Sequence, residues 1–233
     1  MAILSGARYR YLQTITGCTY RYCTSAYPER TTVVLCHGFP YTANIWRWHT
    51  AAFEKLGLGC IAPDMLGVGG SEKSENPSDY TGQAIAQSVV KIMSADGVEK
   101  AVIIGHDWSS VVGSRLALFY PSNVTALVLV AAPYWTPSLF DLDAVNTETE
   151  DAFGFPIFGY WDILMNRQNL LEKHANYFFP IFFAEDPEAW KKHFVPKGGL
   201  EKWLENNCEC VVGSYVTEPE RKEFLANNWV AAT

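Results

Sequence analysis

The sequence predicts an α/β fold with a mostly parallel sheet, followed by a helical region. Three observations carry this. Through the first half of the chain, short apolar runs of strand length alternate with amphipathic runs of helical length. The short runs are apolar throughout, as strands covered on both faces are. From Tyr134 onward β-branched runs stop, and aromatic residues, prolines and amphipathic stretches take over.

Residues 9–15 and 19–25 read as a hairpin turning at Gly17. Thr32–Cys36 is a continuous apolar strand, and Gly59–Pro63 another. Between them, residues 45–56 carry apolar side chains at helical spacing and stop before Gly57. Residues 81–95 form a helix whose stripe is Ala84, Ile85, Ser88, Val89 and Ile92. Residues 101–105 are a strand, residues 109–120 a helix ended by Pro121, and residues 124–132 a strand. Residues 166–177 and 187–194 read as helices. The change of character falls at residues 133–138, so the expected division is a core at 1–134 and a helical region at 135–233.

The 233 residues fit one domain, or one domain with a large insertion. With 48% hydrophobic and 18% charged residues, the chain can bury a core and is not disordered. Asp and Glu number 25 against 18 Lys and Arg, a formal charge of −7. That balance, with no basic cluster, argues against nucleic acid or an anionic membrane as partner. No apolar run is long enough for a transmembrane helix. Arg8 and Arg10 stand where the apolar core of a secretory leader would be. Cys36 and Cys60 lie in apolar strands, and Cys208 and Cys210 lack the spacing and partner ligands of a zinc site. No metal site is expected, and free thiols point to a reducing, cytoplasmic setting.

The chemistry-bearing stretch is Gly105, His106, Asp107, Trp108, Ser109 and Ser110, directly after a buried strand and directly before a helix. Small residues two positions to either side of Asp107 suit a sharp strand-to-helix turn that lifts the central side chain to the carboxyl edge of the sheet. A carboxylate there can attack sp3 carbon and form an ester without a base to activate it. Asp is equally a common helix N-cap, and the stretch alone favours that plainer reading. A second stretch shifts the balance. His37, Gly38, Phe39 and Pro40 follow the strand Thr32–Cys36, where a nucleophile-elbow fold places one oxyanion-hole N–H. The donors would be Phe39 and Trp108.

These stretches, with Trp46 and the run from Pro63 through Asp64, Gly67, Gly69 and Gly70 to Ser71, resemble the α/β-hydrolase superfamily and, within it, the soluble epoxide hydrolases. The resemblance covers nearly the whole chain and implies an α/β-hydrolase core with a helical cap inserted after the sixth strand. It implies hydrolysis of an epoxide to a diol in two steps. Asp107 would open the ring and form an ester. Two cap tyrosines would hold and protonate the epoxide oxygen. A histidine oriented by an acid would activate water. Phe158, Gly159, Tyr160 and Trp161 match the site of the first tyrosine, so Tyr160 is the expected acid, with His37 and Trp161 beside the substrate. Tyr160 reads equally as an aromatic packing cap against core. No cofactor is implied, and the substrate is a small apolar epoxide.

The chain departs from the family's pattern in its second half. None of His37, His49, His106, His174 and His193 stands where the family keeps its base. No seventh strand is visible to carry the acid, and Asn228 and Trp229, the context of the second tyrosine, are followed by Val230. Tyr215 lies out of that context. The expectation is a C-terminally shortened member of the family, its last strands missing and its turnover doubtful. The strand at 124–132 would be an apolar sheet edge, open to pairing with another chain. Two other readings stand beside this one. Haloalkane dehalogenation would use the same Asp-Trp elbow, but Phe39 and Tyr160 argue against it. A non-catalytic remnant would keep the pocket as a binding site.

Overall fold

The computed structural model describes residues 8–27, 29–137 and 139–226. Residues 1–7, Pro28, Ser138 and 227–233, among them Asn228, Trp229 and Val230, lie outside the described residues. The chain forms two compact units, one ending at Thr136 and the other beginning at Pro137.

The first unit is built on a six-stranded sheet. Its strands are β1 (Arg8–Gln13), β2 (Thr19–Thr24), β3 (Thr32–Cys36), β4 (Gly59–Pro63), β5 (Ala101–His106) and β6 (Val124–Val130), in the order β1-β2-β4-β3-β5-β6. β1 pairs with β2, and β2 with β4, antiparallel. β3 pairs with β4 and β5, and β5 with β6, all parallel. The mostly parallel α/β sheet expected from the sequence is the sheet observed. β3 is central and every residue in it is buried. Burying each Val or Leu of that strand contributes about 1.5–3 kcal/mol, which explains its unbroken apolar run.

Three helices complete the unit: α1 (Arg47–Lys55), α2 (Gly82–Ala95) and α3 (Trp108–Phe119). The predicted helix at 45–56 opens instead with a 3-10 turn, Ala43–Trp46, capped by the Thr42 hydroxyl. α2 is capped by the Thr81 side chain, which accepts from Ala84 N–H. Its buried stripe is Ala86, Ser88, Val89, Ile92 and Met93, so Ala84 and Ile85 of the expected stripe lie at its margin. β1 ends at Gln13 because Thr14 N–H turns back to the Cys18 carbonyl. β6 stops at Val130, short of the predicted 132. It is the last strand of the described sheet, and Val128 and Val130 are exposed.

The second unit is helical: α4 (Leu142–Phe153), α5 (Trp161–Asn166), α6 (Gln168–Lys173), α7 (Ala175–Phe182), α8 (Gly199–Glu205) and α9 (Glu218–Ala226). Its only strand pairing among the described residues is an isolated bridge between Ala184 and Val212. The core is aromatic, with Phe178, Phe179 and Phe194 fully buried. Two helix readings need correcting. Residues 166–177 are not one helix: the backbone breaks at Arg167 and again at His174, whose Nδ1 meets Asn207 Oδ1 at 3.0 Å. That tertiary contact has no local signature. Residues 187–194 end in a π-helical turn, Trp190–Phe194, whose wider pitch stacks the Trp190 and Phe194 rings 4.4 Å apart. All six cysteines are free thiols. Among the described residues, no helix is long and apolar enough to cross a membrane, and no group of three or more His, Cys, Asp or Glu is placed to hold a metal ion.

Candidate active site

Asp107 stands between β5 and α3 with φ 56° and ψ −122°, a conformation that is strained for a residue with a Cβ. Backbone contacts hold it there. Its N–H donates to the Val130 carbonyl at 2.9 Å, and its own carbonyl accepts from Ser110 N–H at 2.9 Å. The turn is tight enough that a Cβ on Gly105 would overlap the Ser109 carbonyl. This is why small residues flank Asp107, which is the N-cap residue of α3 by position. The Asp107 side chain makes no capping bond to α3. It points instead toward the loop after β3.

That loop delivers the first donor. Phe39 N–H donates to Asp107 Oδ1 at 3.0 Å, and Trp108 N–H donates to the same carboxylate. Gly38 lies so close that a Cβ there would collide with the Asp107 side chain and the His106 carbonyl. Burial pushes the Asp107 carboxyl above its ordinary value, partly offset by the two N–H donors and by His106. The N-terminus of α3 adds its dipole on the same side. Phe39, Asp107 and Trp108 are thus brought together as the sequence suggests.

His37 has a different place. It is buried, its Nε2 accepts from Met65 N–H at 2.9 Å, and its Nδ1 bonds the Gly38 carbonyl at 3.0 Å. Burial lowers its pKa, so the neutral ring with hydrogen on Nδ1 ties the β3 loop to the β4 loop. Both ring nitrogens are taken, which leaves none for a substrate. Ser109 adds a second tie, its hydroxyl donating to the His37 carbonyl at 2.5 Å. His106 packs its ring near Tyr41 and edge-on to Trp46, at 6.0 and 6.2 Å, and burial lowers its pKa. His49 is exposed on α1.

Behind the loops, Asp64 is buried and accepts from Ala43 N–H through Oδ1 and from Gly70 N–H through Oδ2, each at 2.9 Å. Arg21 pairs with the same Oδ2 at 2.5 Å. This carboxylate gathers the segment after β3, the loop after β4 and strand β2. Its clue in the sequence was the glycine-rich run that follows it, where Gly69 leaves room for the carboxylate.

Tyr160 and Trp161 belong to the second unit. Tyr160 is half-buried ahead of α5, with its ring 4.5 Å from that of Phe194. Trp161 is buried, 4.5 Å from the Phe158 ring and 5.1 Å from Phe140. His174 contacts Asn207, and His193 lies 5.1 Å from the Trp203 ring.

The model of the alpha/beta hydrolase fold family matches residues 31–165 of this chain, more than half of it. Bifunctional epoxide hydrolase 2 of Mus musculus is 30% identical over 158 residues, covering 66% of this chain and 28% of that protein. Epoxide hydrolase A of Mycobacterium tuberculosis is 32% identical over 128 residues, 55% of this chain and 40% of that protein. The chain therefore spans less than half the length of these curated relatives. Among solved structures, epoxide hydrolase A from Mycobacterium thermoresistibile is similar with a TM-score of 0.75 and 25% identity, covering 94% of this chain and 69% of that one. Epoxide hydrolase VrEH1 from Vigna radiata, at 20% identity and a TM-score of 0.70, shares the fold. With its elbow, its sheet order and these relatives in agreement, the chain belongs to the alpha/beta hydrolase fold family, in its epoxide hydrolase-like part.

Proposed function

We propose that the chain opens an epoxide by forming an ester on Asp107. The observation that carries this is the carboxylate itself, raised on a strained turn and held by the N–H groups of Phe39 and Trp108. An Asp-carboxylate oxygen forms a bond to an epoxide carbon. The ring C–O bond breaks and its electron pair goes to the epoxide oxygen. The role of acid goes to Tyr160 on the family resemblance alone: it would give that oxygen its proton and recover one from solvent. Apolar surroundings help, since a carboxylate freed of water is the stronger nucleophile.

Hydrolysis of the ester would place negative charge on the carbonyl oxygen, where Phe39 and Trp108 N–H can stabilise it. Water also needs a base. His37 has both nitrogens occupied, and His106 lies against Tyr41 and Trp46. With neither ring placed to activate water, a slow second step and an accumulating ester belong to the proposal. The substrate is an epoxide, in keeping with the relatives' names, and we take it to be small and apolar.

The test is intact mass after incubation with styrene oxide. The expected result is one added epoxide mass, mapped to Asp107 and absent from Asp107→Ala. No added mass and no diol would sink the proposal. Rapid diol release without a visible ester, abolished by Asp107→Ala and leaving oxygen from labelled water on Asp107, would keep Asp107 as nucleophile and overturn the slow second step.

A further inference from the structure

Tyr160 sits on a short segment whose course is set by side chains of α4. Asn146 is the buried residue of that helix. Its Oδ1 accepts from Phe158 N–H at 2.9 Å. One turn on, the Thr149 hydroxyl accepts from Ile157 N–H at 3.2 Å. The next backbone donor, Gly159 N–H, is held by the Val195 carbonyl at 2.9 Å. Three successive amides leading to Tyr160 are thus tied to other parts of the second unit, two of them by α4 side chains.

Packing holds the segment on one side, where Gly159 lies against the backbone of Val195 and Lys197, and leaves the other side open. Asn146 and Gly159 both line a cavity of about 580 Å³, together with Phe140, Asp141, Asp162 and Lys197. A segment with open space on one side is fixed by its hydrogen bonds. A buried amide is also costly unless it is bonded, and an apolar side chain would fill the position more cheaply. Downstream, the Tyr160 ring rests on Phe194, and the Phe158 carbonyl accepts from Trp161 N–H at 3.0 Å to start α5. A shift of Phe158 would therefore move the phenol of Tyr160.

We propose that Asn146, assisted by Thr149, is a positioning residue for Tyr160, fixing the phenol that protonates the epoxide oxygen. This rests on the proposed role of Tyr160 in ring opening. A general acid must lie within hydrogen-bond reach of the atom it protonates, and misplacement by about 1 Å costs up to 100-fold in rate.

The experiment measures the rate of ester formation with styrene oxide, by intact mass, in the full chain and in Asn146→Leu, Asn146→Asp, Tyr160→Phe and the double variant Asn146→Leu/Tyr160→Phe. Asn146→Leu is expected to slow the reaction by about 10- to 100-fold. Asn146→Asp keeps an acceptor oxygen and should recover most of that loss. The double variant should be no slower than Tyr160→Phe alone, because the Asn acts through the Tyr. Thr149→Val, which removes only the second tie, should give a smaller loss that also vanishes in the Tyr160→Phe background. Losses that multiply, or Asn146→Leu at the unmodified rate, would overturn the positioning role while leaving Tyr160 as the acid. An unchanged rate in Tyr160→Phe, or neither ester nor diol from the unmodified chain, would overturn both readings together.

Discussion

The N–H of Phe39 donates to Asp107 Oδ1 at 3.0 Å, across 68 residues of chain. The two residues follow β3 and β5, which are neighbouring parallel strands with five residues in register. Strand pairing therefore brings the Phe39 donor and the Asp107 carboxylate together, and the two loops need only short reaches to meet.

Gly38 tests that closeness. Gly38→Ala would drive a methyl group into the Asp107 side chain and the His106 carbonyl, both backed by backbone. Overpacking of this kind costs about 1–3 kcal/mol. Displacing the Asp107 carboxylate should slow ester formation by up to about 100-fold. Thermal unfolding and the rate of mass gain read the two effects separately.

Asp64 should be the costlier residue to remove. Its buried carboxylate serves two backbone N–H groups and Arg21, so Asp64→Ala leaves donors stranded. A loss of about 3–5 kcal/mol is expected in denaturant unfolding. Arg21→Met should cost less, because Ala43 and Gly70 still satisfy the carboxylate. Equal losses would show that the ion pair matters more than the backbone donors.

Ser109 offers a milder perturbation. Ser109→Ala removes the bond to the His37 carbonyl and should cost about 0.5–1.5 kcal/mol. Ester formation should slow in step with the loosened loop, although no reacting atom is touched.

Acid should weaken the fold through the imidazoles. Burial holds the His37 and His106 pKa values below the ordinary 6.5. Below pH 6.5 the unfolded chain takes up protons that the folded chain refuses. Their contribution is complete above pH 6.5 and is lost as pH falls toward the folded values. The midpoint of thermal unfolding should drop between pH 7 and pH 5, less steeply in His37→Gln. Asp107 works in the opposite sense, because its carboxyl is raised. Its contribution is present at low pH and is lost as pH rises through the folded value. Asp107→Asn should therefore stabilise the neutral protein, with the gain fading in acid.

The sheet was legible because its strands are short apolar runs between strong punctuation, and Thr32–Cys36 and Gly59–Pro63 match residue for residue. The elbow was legible because Gly105 and Ser109 flank Asp107, and steric demand writes itself as small residues. The hub at Asp64 and the latch at Asn146 were not. For Asp64 the glycine-rich run after it hints at the bond from Gly70 but not at those from Ala43 and Arg21, and Asn146 carries no sign of the Phe158 amide that it accepts from. His37 stood beside the predicted pocket in sequence, yet its ring turns inward, because Met65 N–H and the Gly38 carbonyl satisfy both nitrogens. The break at His174 and the wide turn at Trp190–Phe194 also depend on partners far along the chain.

The contacts that shape the elbow involve the Asp107 main chain and Cβ, through Val130, Ser110 and Gly38, and the room left at Gly105. Beyond Cβ, the side chain is anchored by amides that would serve an ester carbonyl of any origin. The frame is therefore indifferent to the warhead it displays. A hydroxyl or a thiol would stand in the same place at little cost to the fold but would need a base that the carboxylate does without, so the scaffold accepts a new side chain more readily than a new reaction.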